Sequence, residues 1–284
     1  MMRKRIFHFV VAMAFLYFPL CNGKAQPAEQ PRHTSGNPVK LLITGSSTMC
    51  PLIAKIARRF ETLHPETRIE VQCGGSGRGI SDAREGNADI GMVSRVLTEE
   101  EKDLYSFPLA RDGISVILHK DNPVESLSDA QVADIYTGKI TNWKTLGGRD
   151  ASITVVNPLK GYSSVELFTH YFKIDYDDVK ATMVAGDNST RLRAVVDNPD
   201  AIAYLSSGEA ERSEKAGAPI NILAFNKVAP TSRNIITGNY PITRPLTLVT
   251  KDLPSGSVKT FIDYCLSAAV VEVIEQYDFI PYED

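Results

Sequence analysis

The sequence predicts an α/β fold in two lobes, with mostly parallel sheets flanked by helices and two crossings of the chain between the lobes. Three observations lead there. Strand and helix patterns alternate along nearly the whole chain, the order that builds parallel sheets covered by helices. A unit of strand, hydroxyl-rich turn and helix occurs at residues 41–60 and again at residues 153–172. Passages marked by Pro and Gly, at residues 107–113 and 240–245, break the alternation where a chain would pass from one lobe to the other. A length of 284 residues, 43% hydrophobic and 23% charged, suits a sizeable core and two lobes rather than one.

The N-terminus reads as an export signal. Arg3-Lys4-Arg5 is a basic stretch, residues 9–18 are apolar, and Gly23-Lys24-Ala25 offers small residues at the two positions a signal peptidase reads, which places cleavage before Gln26. The apolar run is too short to anchor in a bilayer as a spanning helix. Lipid attachment at Cys21 is the weaker reading, because Leu20 stands where a small residue is expected. Residues 26–37, rich in Pro, Gln, Ser and Gly, read as a disordered leader. Loss of residues 1–25 leaves 27 basic against 34 acidic side chains, a formal charge of −7. Such a chain has no field that attracts nucleic acid or anionic lipid, and any anion it takes must be captured by local donors. The expected place of work is outside the cytoplasm, in the periplasm or its equivalent.

Leu41-Leu42-Ile43-Thr44 is the first strand and breaks at Gly45-Ser46-Ser47-Thr48; a helix pattern follows from Pro51 to about His64, ahead of Pro65. Arg68-Ile69-Glu70-Val71-Gln72 alternates as a second strand. Gly74-Gly75-Ser76-Gly77-Arg78-Gly79 opens a short helix that stops at Gly86, and Ala88 to Val93 forms a third strand running into Ser94-Arg95. Thr98 with Glu101 has the look of a capping box. After the first crossing come the strand Ile114 to Leu118, a helix capped by Ser128 that ends at Gly138, and the strand Ile153 to Val156. The next turn, Gly161-Tyr162-Ser163-Ser164, starts a further helix; Ala201 to Leu205 and Leu246 to Val249 are strands, and an amphipathic helix from Val258 to about Tyr277 closes the chain against the first lobe. The lobes are then residues 38–110 plus 244–284, and residues 111–243.

Three strand ends in the first lobe carry hydroxyl turns, at Ser47/Thr48, Ser76 and Ser94, with a fourth at Ser163/Ser164 in the second. Each alone reads as a helix cap. Together they line the edge where open α/β sheets take ligands, and helix N-termini there present free N–H groups and a positive dipole end. Glycines such as Gly77 let backbone come close to a ligand. A small oxyanion suits that edge. Arg95 and Lys160 adjoin these turns and are the candidate cations; Asp89 reads as a structural residue bonding backbone between strands. The glycine stretch lacks the Lys-Ser ending of a P-loop and the dinucleotide spacing, and Arg78 stands where a nucleophile elbow needs glycine. No cofactor or metal is called for, since no Cys/His spacing suggests zinc. Among Cys50, Cys73 and Cys265, a bridge between the first two is compatible with the element order, while three buried small apolar residues is the simpler reading.

Several runs resemble one family: Gly45-Ser46-Ser47-Thr48, Gly74-Gly75-Ser76-Gly77, Ala88-Asp89-Ile90-Gly91, Tyr136-Thr137-Gly138-Lys139-Ile140-Thr141-Asn142-Trp143, Asp200-Ala201-Ile202-Ala203-Tyr204 and Tyr240-Pro241-Ile242-Thr243-Arg244-Pro245-Leu246. In this order they are similar to the phosphate-binding proteins of high-affinity phosphate ABC transporters, within the type II periplasmic binding proteins, over residues 39–282. The resemblance implies two lobes holding dehydrated phosphate in the cleft, a membrane permease as partner, action as a monomer and no catalysis. It implies anion contacts from Thr48, Met49 and Ser76, with Ser94 or Arg95 where the family places a carboxylate or serine, and from Ser163 and Ser164. Pro158 replaces the family's loop arginine, which leaves Lys160 or Arg95 as substitute charge. Other expected ligands are sulfate, molybdate or a phosphorylated metabolite; a non-transport sensor or scaffold and a secreted hydrolase are the readings from other classes.

Overall fold

The computed structural model describes residues 38–225 and 227–282. The signal segment, the cleavage before Gln26, Cys21 and the leader to residue 37 lie outside the described residues. The chain opens with β1 (Val39–Gly45), α1 (Cys50–Leu63), β2 (Thr67–Cys73), α2 (Ser76–Glu85) and β3 (Ile90–Val93). Pro51 sits in the first turn of α1, where its missing N–H costs nothing. Gly86 ends α2 in the left-handed conformation. β1 pairs in parallel with β2 on one side and β3 on the other, so all three turns that follow them fall on one edge.

The first crossing is one continuous strand, β4 (Tyr105–His119), rather than a loop followed by a short strand. Fifteen residues of strand reach about 50 Å, enough to belong to both lobes. Pro108, which has no N–H for the ladder, is accommodated by a register shift between Pro108 and Ala110. Beyond it lie α3 (Asp129–Tyr136), β5 (Thr154–Asn157), α4 (Ser163–Phe172), β6 (Met183–Val184), α5 (Asn188–Val196), β7 (Ala201–Ser206), α6 (Ser207–Lys215), β8 (Ile220–Ile222) and α7 (Ser232–Ile236). Ser128 caps α3 by accepting from the Gln131 amide, and Gln131 accepts in return from the Ser128 amide. The second crossing is β9 (Thr243–Thr250), followed by α8 (Gly256–Cys265), α9 (Val271–Glu275) and β10 (Ile280–Pro281).

Strand order is β2-β1-β3-β9-β4-β7-β5-β6, a single curled sheet through both lobes. Pairing is parallel in each outer block, where β5 runs between β6 and β7, and antiparallel along the crossings, where β9 joins β3 to β4 and β4 joins β7. Two adjacent crossing strands traversing the molecule in opposite senses can pair only that way. The predicted C-terminal helix is broken. The Ser267 hydroxyl donates to the Tyr264 carbonyl at 2.7 Å, which competes with the helix ladder, and a single 3₁₀ turn (Ala268–Val270) separates α8 from α9. Thr98 and Glu101 likewise cap only one 3₁₀ turn.

The cores are separate. One gathers Ile43, Leu52, Phe60, Ile90, Leu248, Phe261 and Ile274. Another gathers Val116, Tyr136, Trp143, Phe168, Tyr204 and Phe225, with Phe168 stacked on Tyr204. Cys50 and Cys73 are joined in a disulfide, which corrects the reading of three buried thiols; among the described residues Cys265 is free and buried. The bridge arises because parallel pairing of β1 and β2 sets the start of α1 beside the end of β2, with the two Cα atoms 5.7 Å apart.

Candidate anion site

Four helices of nine residues or more begin at one place. Thr48 and Met49 precede α1, Ser76 begins α2, Ser163 and Ser164 begin α4, and Asn188 begins α5. The first amides of an α-helix have no partner within the helix, and its N-terminus carries the positive end of the dipole. Close packing makes the convergence tight. A Cβ added to Gly91 would lie 2.3 Å from the Gly79 carbonyl oxygen, so α2 can lie directly on the sheet. Gly75, at φ +89°, faces Gly161 of the other lobe, and the Gly77 amide donates to the Gly161 carbonyl at 3.3 Å.

The hydroxyls meet. Ser94 Oγ lies 2.6 Å from Ser163 Oγ, 3.4 Å from Ser76 Oγ and accepts from Ser46 Oγ at 2.8 Å. Ser76 Oγ accepts from the Ser94 amide at 3.0 Å. Ser46, Thr48, Ser76, Ser94, Ser163 and Ser164 are all buried. At their centre is Arg244, from the second crossing. Its Nη1 donates to Ser163 Oγ at 3.1 Å and its Nη2 to Thr48 Oγ1 at 3.0 Å, one partner from each lobe. The same guanidinium donates through Nε and Nη2 to Asp112 Oδ2, at 3.0 and 2.7 Å, and both side chains are fully buried. Arg244 and Asp112 are register partners on β9 and β4, so the two crossings hold the pair. The other Asp112 oxygen accepts from the Gly208 amide at 3.2 Å.

Asn188 Nδ2 also donates to Thr48 Oγ1, at 3.2 Å, and Arg191 of α5 donates to Ser164 Oγ at 3.2 Å. The cluster is therefore donor-rich: it gathers two guanidinium groups, an amide NH₂ and several hydroxyls, and the acceptors among them are mainly hydroxyl oxygens. A multi-oxygen anion supplies the lone pairs such a cluster needs.

Of the residues predicted from sequence, Thr48, Ser76, Ser94, Ser163 and Ser164 come together. Met49 is buried, its amide donating to Ser46 Oγ at 3.2 Å; Ser47 is half-buried in the same turn, and Gly77 touches the opposite lobe. The two predicted cations lie elsewhere. Arg95 takes both carboxylate oxygens of Glu101, at 2.5 and 2.7 Å, and its Nε stands 2.6 Å from Glu166 of α4. That contact bridges the lobes at the rim; burial pushes the Glu166 carboxyl up, while the Arg95 hydrogen bond holds Glu101 down. Lys160 is exposed, paired with Asp177 at 2.9 Å and lying over the Tyr176 ring. Sequence reasoning missed Arg244, Asp112, Asn188 and Arg191. Arg244 stood in a quoted motif, but nothing local tied it to Thr48. Asp89 bonds the Leu42 amide at 2.7 Å and holds β1 to β3. A groove of about 680 Å³, edged by Arg111, Ile236, Leu266 and Tyr282, shares no lining residue with the cluster.

A family model described as a PBP superfamily domain matches residues 27–269. The phosphate-binding protein PstS of Bacillus subtilis is 32% identical over 249 residues, spanning 86% of this chain and 81% of that protein. A crystal structure of a phosphate ABC transporter substrate-binding protein with bound phosphate, from Clostridium perfringens, is 33% identical with a TM-score of 0.79, covering 86% of this chain and all of the other. An ABC-type phosphate transport receptor from Vibrio cholerae is 32% identical with a TM-score of 0.69 over the same shares.

Proposed function

From the premise that the chain belongs to the PBP superfamily, and within it to the PstS phosphate-binding proteins, we propose that it captures inorganic phosphate between its lobes for delivery to an ABC permease. The observation that carries this reading is Arg244, whose guanidinium bonds hydroxyls of both lobes, Thr48 and Ser163, at one point. The ligand contacts in this reading are Thr48, Met49, Ser76, Ser94, Ser163, Ser164 and Arg244, with Asn188 beside Thr48. Each charge-assisted hydrogen bond contributes roughly 1.5–3 kcal/mol. A few of them support micromolar binding, about −8 kcal/mol.

Closure is then a hinge motion on β4 and β9, with lobes at residues 38–110 plus 244–284 and residues 111–243. Ligand stabilises the closed state because its donors come from both lobes and reach it together only there; that closed shape is what a permease would read. The chain acts in this reading as a monomer outside the cytoplasm, after removal of residues 1–25, and the Cys50–Cys73 bridge suits an oxidising compartment. In this reading, which rests on its likeness to transporter binding proteins, it binds its ligand and does not turn it over.

Calorimetric titration of residues 26–284 with phosphate tests this. Binding heat is expected with the parent protein and is expected to vanish when Thr48→Val and Ser76→Ala are combined. Phosphate heat that survives both changes, or no heat in the parent, overturns the reading. Lys160→Ala is expected to leave phosphate affinity within about twofold, since an exposed ion pair contributes little and this one lies outside the cluster.

A further inference from the structure

Two guanidinium groups are sealed beside the hydroxyl cluster, and only one of them has a carboxylate. Arg244 rests on Asp112. Among the described residues Arg191, 1% exposed, bonds only neutral acceptors: Nη1 donates to the Tyr204 carbonyl at 2.5 Å and Ser164 Oγ at 3.2 Å, Nη2 to Asn188 Oδ1 at 2.7 Å, and Nε to the Asp187 carbonyl at 3.2 Å. The Asp187 carboxylate makes no direct bond to Arg191: its Oδ1 accepts from the Thr190 amide, the Thr190 hydroxyl and the Ser189 hydroxyl at the start of α5, and it attracts the guanidinium only from a distance. Burial, with repulsion from Arg244, outweighs the attraction of Tyr204 and Asp187 and brings the Arg191 guanidinium down to about 10. A buried charge with no carboxylate bonded to it is costly to the folded state, so its retention in the wall of a binding site calls for a reason.

We propose that Arg191 is the charge-setting and positioning residue of the anion site: its unpaired charge is balanced by the bound anion, and its hydrogen bonds aim Asn188 and Ser164. The aiming follows from donor chemistry. A guanidinium only donates, so Asn188 must turn its oxygen to Nη2, which directs its NH₂ across the lobes to Thr48. Ser164 Oγ, accepting from Nη1, keeps its proton free to donate. The Arg244–Asp112 pair is neutral as a unit, so Arg191 leaves the enclosed cluster one positive charge in surplus. The ligand is then an obligate anion, attracted by that charge and by the helix ends around it.

This inference rests on the anion-binding reading above, and titration of the parent protein with inorganic phosphate judges that reading separately. Given binding by the parent, Arg191→Gln is expected to weaken phosphate affinity about 10- to 150-fold, the loss of one charge-assisted contact. Arg191→Lys, which keeps the charge without the planar fork, is expected to recover most of it. Equal weakness of the Gln and Lys variants, or unchanged affinity in Arg191→Gln, overturns the proposal. Asn188→Asp supplies a second arm that does not depend on removing the arginine. It sets a carboxylate against Nη2, so the phosphate-free protein should melt at a higher temperature while phosphate binding falls at least about tenfold, the weight of one lost charged contact. A lower melting temperature for the phosphate-free Asn188→Asp protein shows that Arg191 was already compensated and overturns the proposal.

Discussion

Arg244→Met abolishes phosphate binding and destabilises the fold by about 3–5 kcal/mol, the expected cost of removing one partner from a buried ion pair. The two effects have separate causes. Binding is lost because the guanidinium is the group that reaches hydroxyls from both lobes. Stability is lost because the Asp112 carboxylate, fully buried, is left with the Gly208 amide as its remaining partner. Adding Asp112→Asn to Arg244→Met removes the stranded charge and is expected to restore much of the stability and none of the binding. Urea denaturation and calorimetric titration of the single and double variants measure both quantities. Phosphate affinity within threefold of the parent in Arg244→Met would remove Arg244 from the site.

Reduction of the Cys50–Cys73 bridge, or its replacement by two serines, costs about 3 kcal/mol. The chain-entropy relation gives that magnitude for a separation of 23 residues. For a chain of this size the melting temperature is expected to fall by roughly 6–12 °C. Affinity should fall as well, because the bridge ties the start of α1, next to Thr48, to the end of β2, three residues before Ser76. Thermal melts with and without reductant, and phosphate titration of the reduced protein, check both. Identical melting of the oxidised and reduced protein would mean that the bridge does not form.

Most of the donor set was legible because it obeys a local rule. A strand that ends in Ser or Thr and feeds a helix presents a hydroxyl beside free amides, and parallel pairing of β1 with β2 and β3 brings those turns to one edge. The cations were not legible by the same rule. Arg95 and Lys160 adjoin ligand turns in sequence, yet each found an acidic partner of its own, Glu101 with Glu166 for the first and Asp177 for the second. Nearness along the chain does not say which way a long side chain turns. The disulfide was undecidable for a similar reason, since it depends on Cα spacing across two paired elements.

From the chain alone came the alternation of strands and helices, the two crossings and the hydroxyl turns, all set by local periodicity, backbone preference and turn chemistry. The tertiary structure decided where the charge lies. Arg244 is 196 residues from Thr48 and 132 from Asp112, and it meets both only because β4 and β9 pair in one particular register. Register sums contacts over the whole sheet, and a buried guanidinium is placed by that sum rather than by its neighbours in sequence.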